Sequence, residues 1–196
     1  MQIVNQSLRT RPYAMPRHSL FFGIMMPSIE GKQFASFFQS FQKTYRFTSR
    51  PIGPDRLHMS LYSLYAGDEL GDEEVRTAIR TGDAIRFGPF PITFDRALTY
   101  RNSKSKMPFV LAAPDSAEPV NGLRFQLGRA HSNLRGSFCY KHRSIQPHVT
   151  LVWDHISVPE YSIEPLTMIV QDYALVHSHI GCSKYDILKR WPLVRL

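Results

Sequence analysis

Two short segments of the chain combine residue types that could catalyse acid–base chemistry. They are His58-Met59-Ser60-Leu61 and His148-Val149-Thr150-Leu151, and each places a histidine two residues before a hydroxyl. Side chains alternate between the two faces of a β-strand, so the histidine and the hydroxyl of each segment would share one face. Two imidazoles can act as one general acid and one general base near neutral pH. Such a pair could open a phosphodiester without a metal ion.

The spacing between histidine and hydroxyl is not diagnostic by itself. Four of the eight histidines have Ser or Thr two residues later: His58, His142, His148 and His155. His142 lies in a basic run that is typical of a loop, and His155 lies beyond the end of an apolar run. Only His58 and His148 are followed by an apolar residue, a hydroxyl and a leucine, and only they lie in strand-like segments, 57–64 and 147–153. The prediction therefore rests on the pair.

The composition indicates an ordinary globular protein with a basic character. The chain has 196 residues, of which 43% are hydrophobic and 20% charged, as expected for one domain. Its net charge of +8 favours a polyanionic partner, although many basic proteins bind no nucleic acid. The two cysteines, Cys139 and Cys182, form neither a disulfide framework nor a metal motif, so we expect the protein to reside in the reducing cytoplasm. No apolar run approaches the ~20 residues of a membrane span.

The predicted elements alternate between strand and helix. Strands are expected over 19–26, 57–64, 90–95, 97–101, 107–113, 147–153, 168–176 and 184–188, and helices over 31–45, 72–82 and 119–134. Residues 1–17 contain three arginines and no acid, and we expect a basic, disordered leader rather than a transit peptide. The remainder, 18–196, is expected to be a single domain.

A weak internal repeat suggests how the two histidine strands meet. The order strand, helix, histidine strand occurs over 19–64 and again over 107–153, with His58 and His148 90 residues apart (148 − 58). Coincidence of element order is the alternative explanation. A true repeat would bring both histidine strands together across a groove. We therefore expect an α+β fold of two pseudo-symmetric lobes, with antiparallel sheets and flanking helices around a central cleft.

The chain resembles the two-histidine (2H) phosphoesterases, and among them the LigT-like RNA 2′,3′-cyclic phosphodiesterases, also called 2′-5′ RNA ligases. The resemblance covers about residues 17–193. It rests on both motifs and on their flanks: Arg50-Pro51, Arg56-Leu57, Gln146-Pro147, the terminal strands over 173–188 and Trp191-Pro192-Leu193. Two departures are present: Ser60 replaces the commoner Thr, and Val152-Trp153 stands where the group often has Ala-Arg.

The resemblance implies a LigT-like fold and a specific reaction. The expected activity is metal-independent hydrolysis of RNA 2′,3′-cyclic phosphodiester ends to 2′-phosphomonoesters, with reverse, ATP-independent 2′-5′ ligation at the same site. His58 would be the proton donor and His148 the proton acceptor. Ser60 and Thr150 would bind the phosphate oxygens. The resemblance also implies a monomer that needs neither a cofactor nor a membrane.

Other residues are weaker candidates. Tyr62 shares the parity of His58 and could stack on a base, with core packing as the alternative. Arg56 and Arg143 could bind phosphate, although solvated surface is the alternative for each. Trp153 has the opposite parity from His148 and is expected in the core. His177 and His179 have the spacing of metal ligands, but no acidic or cysteine partner lies nearby in sequence, so no metal site is predicted.

Two alternative functions stay open from the sequence. One is the same chemistry on a small cyclic nucleotide or a 2′-5′ oligonucleotide. The other is a noncatalytic RNA-binding protein, for which a cationic groove would suffice but the paired histidines and hydroxyls would have no purpose. No Gly-rich phosphate loop is present, which argues against the use of ATP.

Overall fold

The computed structural model describes residues 15–101, 105–136 and 145–195. Most of the expected leader, together with Cys139 and Arg143, lies outside the described residues. The eight strands are β1 (His18–Met25), β2 (His58–Gly67), β3 (Phe90–Thr99), β4 (Met107–Ala112), β5 (His148–Asp154), β6 (Tyr161–Val170), β7 (Asp172–His179) and β8 (Lys184–Pro192). The helices are α1 (Ser28–Tyr45), α2 (Asp72–Asp83) and α3 (Ala117–Arg135), with 3₁₀ turns at Pro54–Arg56 and Pro114–Ser116.

The strands form two four-stranded antiparallel sheets. The first sheet has the order β2-β1-β7-β8 and the second has the order β5-β4-β3-β6. In each sheet the histidine strand is an edge strand and pairs with the strand that begins its strand–helix–strand unit. His58 lies opposite Met25, and His148 lies opposite Ala112. The expected α+β architecture of two pseudo-symmetric lobes is confirmed.

Two strand predictions were wrong in their division of the chain. The segment predicted as one strand over 168–176 is the end of β6 and the start of β7, and the chain passes between the sheets at Gln171. Buried residues continue on both sides of this crossing, so the apolar pattern does not reveal it. Conversely, the strands predicted over 90–95 and 97–101 are the single strand β3, whose pairing with β6 is irregular next to Asp95.

The first and third helices each pack against the sheet of the opposite lobe. The aromatic face of α1, which follows β1, contacts the second sheet: Phe34 lies 5.1 Å from Phe94 and Phe41 lies 5.3 Å from Phe109, between ring centroids. In turn α3, which follows β4, packs against β2 and α2. This exchange joins both lobes in one continuous hydrophobic core, so the edge strands β2 and β5 are held in fixed relative positions.

The helix ends agree with simple capping chemistry. The predicted stop at Arg135-Gly136 is confirmed, because Gly136 adopts the left-handed conformation (φ 63°) that glycine accommodates without strain. The expectation that Asp72 caps α2 was wrong by one residue. Gly71 occupies the N-cap, and Asp72, Glu73 and Glu74 lie in the first turn, where carboxylates favour the helix dipole.

Candidate active site

The two motif histidines are anchored in the same way in the two lobes. Nδ1 of His58 lies 2.9 Å from the carbonyl oxygen of Arg56, and Nδ1 of His148 lies 2.8 Å from that of Gln146. A carbonyl oxygen can only accept a hydrogen bond, so Nδ1 must carry a proton in each ring. Nε2 is then the nitrogen that can gain or lose a proton, as acid–base catalysis requires.

A β-bulge lies at the last residue of each motif. Ser60 lies opposite Gly23 and Tyr62 opposite Phe22, so Leu61 is the extra residue of β2. In β5, Thr150 lies opposite Val110 and Val152 opposite Phe109, so Leu151 is the extra residue. The two bulges occupy equivalent places in the pseudo-symmetric sheets.

The carbonyl groups of the two bulged leucines connect the lobes. The carbonyl oxygen of Leu61 accepts a hydrogen bond from Nε of Arg124, which lies on α3. That of Leu151 accepts one from the backbone N–H of Ile52, at 2.8 Å, in the segment before β2. Each bond therefore joins one histidine strand to chain belonging to the other unit, which fixes the position of one motif relative to the other.

The bulge at Leu61 overturns the interpretation of Tyr62. Strict alternation would place Tyr62 on the face of His58, but the extra residue turns it to the face of Phe22, which is completely buried. The Tyr62 hydroxyl lies 3.3 Å from Nδ1 of His131 on α3. Tyr62 therefore packs under the helices, and it is not available to stack on a base beside His58.

The bulge at Leu151 likewise overturns the interpretation of Trp153. Leu151 and Val152 are both buried, so the alternation is reversed beyond the bulge. Trp153 is consequently not in the core: the residue is 43% exposed. By register it lies on the same face of the second sheet as His148 and Thr150.

Aromatic rings flank both imidazoles. His58 contacts Phe21, at 5.0 Å between ring centroids, and Tyr185, which meets it edge-on at 5.3 Å. His148 meets the ring of Tyr100 edge-on at 5.0 Å. The hydroxyl of Tyr100 is buried and has no hydrogen-bond partner among the described residues. These contacts fix the plane of each imidazole.

Burial governs the protonation of both histidines. Loss of solvation lowers the pKa of His58 and outweighs the carbonyl of Arg56, which raises it. The charges of His148 and Arg56 lower the pKa of His58 further. Burial also lowers the pKa of His148, against the opposing effect of the Gln146 carbonyl. Both imidazoles therefore tend towards their neutral form, and they lie near enough to influence each other.

The remaining predicted site residues are placed as follows. Ser60 is exposed and Thr150 is half-buried, each on the same face as its histidine by the register of its strand. The guanidinium of Arg56 lies 5.9 Å from the ring centroid of Tyr185, beside His58. Arg143 lies outside the described residues. His177 and His179 lie at the far end of the first sheet, away from His58.

Asn121 and Arg124 contribute to the site without having been identified from the sequence. The buried side-chain amide of Asn121 bonds both the N–H and the carbonyl of Ile145, at 2.9 and 3.1 Å, three residues before His148. Its oxygen also accepts from Arg124, which reaches β2. These bonds fix the segment that precedes His148 and the strand that carries His58.

Tyr100 and Tyr185 were missed as well, because long-range pairing leaves no local signal in the sequence.

Comparison with known proteins identifies the fold. No family model matches the chain, and no curated protein matches it by sequence. Among solved structures, E. coli LigT in its apo form is 23% identical, with a TM-score of 0.70 over 93% of this chain and 100% of that one. E. coli LigT complexed with NADP⁺ is 25% identical, with a TM-score of 0.69 over 93% of this chain and 100% of that one. TT0787 of Thermus thermophilus is 21% identical, with a TM-score of 0.69 over 89% of this chain and 97% of that one.

These matches span nearly the whole of each chain, so the protein has the LigT-like fold, as its sequence resemblance implied. In the described part of the chain, none of the helices is both apolar enough and long enough to cross a bilayer.

Proposed function

We propose that the protein is a 2H phosphoesterase that hydrolyses RNA 2′,3′-cyclic phosphate ends to 2′-phosphomonoesters by general acid–base catalysis. The observation that carries the proposal is the matched anchoring of His58 and His148. Each imidazole donates from Nδ1 to the carbonyl two residues earlier, and each keeps Nε2 for a substrate. A lone structural histidine would not require a second one at the equivalent register position.

The reaction uses one neutral and one protonated imidazole. Nε2 of His148 accepts a proton from water as the water oxygen forms a bond to phosphorus. The bond between phosphorus and O3′ breaks on the opposite side, and Nε2–H of His58 donates its proton to O3′. The phosphate stays on O2′ as a monoester. When a 5′-hydroxyl replaces water, the same transfers form a 2′-5′ linkage, so ligation needs no ATP.

Hydroxyls and one guanidinium supply the phosphate contacts. Ser60 and Thr150 project on the histidine faces of their strands, from which their hydroxyls can donate to the non-bridging oxygens. Arg56 supplies a positive charge next to His58, and an anionic phosphate there offsets the repulsion between them. We propose Arg143 as a further phosphate-binding residue.

RNA is the partner that we propose. The net charge of +8 favours a polyanion, and E. coli LigT has been captured with the nucleotides ATP, 3′-AMP and NADP⁺. One chain provides both histidines and both hydroxyls, so a monomer in the cytoplasm suffices for the reaction.

A direct assay tests the proposal. The protein is incubated with a cyclic-phosphate-ended oligonucleotide and, separately, with 2′,3′-cyclic mononucleotides, both in EDTA, and the monoester isomer is identified by ³¹P NMR. We expect turnover of the oligonucleotide to the 2′-phosphate. Loss of turnover in EDTA would exclude the metal-independent mechanism. A 3′-phosphate product would show that the bond between phosphorus and O2′ is cleaved instead of the bond to O3′.

The alternatives give different results in the same assay. Preference for the mononucleotide would assign the chemistry to a small cyclic substrate. Binding of RNA with no turnover of either substrate would assign a noncatalytic RNA-binding role. His155→Asn is the matched control for variants of the motif histidines, because His155 also has a hydroxyl two residues later but bonds only the carbonyl of Ser105 among its described contacts.

A further inference from the structure

A cluster of three histidines lies at the end of the first sheet that is distant from His58. His18 is on β1, and His177 and His179 are on β7. One ring nitrogen from each lies within 4.8 Å of the others. Nδ1 of His18 is 3.0 Å from Nε2 of His177. The sequence offered only the pair His177 and His179, since His18 joins them through strand pairing.

The backbone fixes the three imidazoles on one face. In the antiparallel pairing of β1 with β7, His18 lies opposite His179 and Leu20 lies opposite His177. Both strands are central in their sheet, so their positions are held by neighbours on either side. The ring centroids of His177 and His179 are 4.2 Å apart, and those of His18 and His177 are 5.1 Å apart. All three side chains are half-buried, so solvent ions can reach them.

An acidic residue orients one member of the cluster. Nε2 of His179 lies 2.6 Å from a carboxylate oxygen of Asp186, which is on β8 opposite His177. The other oxygen of Asp186 lies 3.2 Å from Nζ of Lys184. With Nε2 donating to the carboxylate, His179 keeps Nδ1 as a lone-pair donor. Carboxylate–histidine pairs of this kind orient the ligands of protein-bound zinc and increase their basicity.

We propose that His18, His177 and His179 bind one divalent cation of the zinc class, with Asp186 orienting His179 and water in the remaining position. Imidazole nitrogen is a preferred donor for Zn²⁺, Cu²⁺ and Ni²⁺. At Zn–N distances of ~2.0–2.1 Å, a tetrahedral ion separates its donor nitrogens by about 3.3 Å, close to the separation of the His18 and His177 nitrogens. A shift of a few tenths of an ångström would complete that pair.

Mutual repulsion also favours a bound cation in this cluster. Metal binding requires neutral imidazoles. Three adjacent imidazolium ions would repel one another, whereas one shared cation satisfies all three rings.

The cation site is separate from the catalytic pair. Along β1, His18 lies seven residues before Met25, the partner of His58, which is about 23 Å at ~3.3 Å per residue. By the alternation of β1, His18 shares the face of the buried Leu20 and Phe22, whereas Met25 shares the opposite face with Phe21, which contacts His58. The cation would therefore tie β1 to β7 and stabilise the end of the sheet without taking part in turnover.

Zinc titration of the full chain tests the proposal. The protein, free of any histidine tag and stripped with EDTA, is titrated with Zn²⁺ by calorimetry, and Co²⁺ is added separately to record its visible spectrum. We expect one ion per chain, the intense visible bands of tetrahedral Co²⁺, and a higher Tm with Zn²⁺. His177→Ala should lower the Zn²⁺ affinity by more than ~100-fold, and Asp186→Asn by ~10–100-fold, the usual effect of losing an orienting partner.

Three controls make the outcome decisive. His18→Gln, at the start of β1, provides a second ligand variant should His177→Ala not fold. His58→Asn should bind zinc normally, since it lies in the other site, and His155→Ala should also bind normally. The proposal is overturned if the wild type takes up no zinc at micromolar concentration. It is equally overturned if His18→Gln and Asp186→Asn, folded by circular dichroism, bind zinc as tightly as the wild type.

Discussion

His58 and His148 lie in different sheets, yet they interact: the charge of His148 lowers the pKa of His58, in addition to the larger effect of burial. A site with two such imidazoles favours one proton rather than two, because a second positive charge is opposed by the first. The singly protonated pair is the state that provides an acid and a base together. Pseudo-symmetry brings the two rings near each other, and the charge of His148 opposes a second proton at His58.

The pH dependence of kcat/KM follows from these shifts. In the proposed mechanism His148 must be neutral to accept a proton, so kcat/KM should fall as the pH drops below its pKa. His58 must be protonated to donate in that mechanism, so kcat/KM should fall as the pH rises above its pKa. Both values lie below the ordinary 6.5, so the bell-shaped profile should have its maximum on the acid side of pH 6.5. Steady-state assays in constant-ionic-strength buffers measure it, and a maximum at alkaline pH would contradict the assignment.

The donor and acceptor roles can be separated with an activated substrate. His58→Asn and His148→Asn should each lower kcat on a cyclic phosphate by ~10²–10⁴-fold, the range of acid–base catalysis. In a nucleoside 2′-(p-nitrophenyl phosphate), the leaving phenol is acidic and needs no protonation. His58→Asn should therefore retain most of its activity on that ester, whereas His148→Asn should stay impaired. The opposite pattern would exchange the two roles.

The bulge at Leu61 makes a prediction about two tyrosines. Tyr62 packs beneath the helices, so Tyr62→Phe should leave kcat/KM unchanged and reduce the free energy of unfolding by about 1 kcal/mol through loss of the contact with His131. Tyr185→Leu removes the ring that meets His58 edge-on. It should lower kcat/KM by about tenfold or more, because the imidazole of His58, the proposed proton donor, is then less well oriented. Urea unfolding and kinetics of both variants distinguish a structural ring from a positioning one. A large kinetic defect in Tyr62→Phe would restore Tyr62 to the substrate site.

Local sequence signals were sufficient for much of the fold. The apolar alternation around His58 and His148 identified both histidine strands. The aromatic spacing of Phe34, Phe38 and Phe41 identified α1, and Gly136 marked the end of α3. Each of these signals depends on residues a few positions apart, and therefore survives without knowledge of tertiary structure.

Features that depend on pairing between distant segments were not predictable. Leu61 and Leu151 continue the apolar pattern of their strands, and only the partner strands reveal that each is an extra residue. Tyr62 and Trp153 were assigned to the wrong faces for that reason. His18 is 159 residues from His177, so only the pairing of β1 with β7 shows that they form one cluster.

Asp154 at the end of β5 should be a main determinant of stability near the site. Burial alone would raise its pKa, but backbone N–H groups of Ser49, Ile156 and Thr48 bond its carboxylate and hold the pKa at about 2, below the ordinary 3.8. A folded-state pKa below the unfolded value gives stability that is fully present above about pH 4. A pKa difference of nearly two units between the folded and unfolded states corresponds to about 2.4 kcal/mol of stability, which is lost as the pH falls towards 2. Asp154→Asn should reduce the free energy of unfolding by about 2–3 kcal/mol at pH 7, because the NH₂ group of the new amide would face backbone N–H groups and two donors cannot hydrogen-bond. Urea unfolding at pH 7 and pH 3 should show the variant's deficit shrinking at the lower pH, and an equal deficit at both would refute the charge-based account.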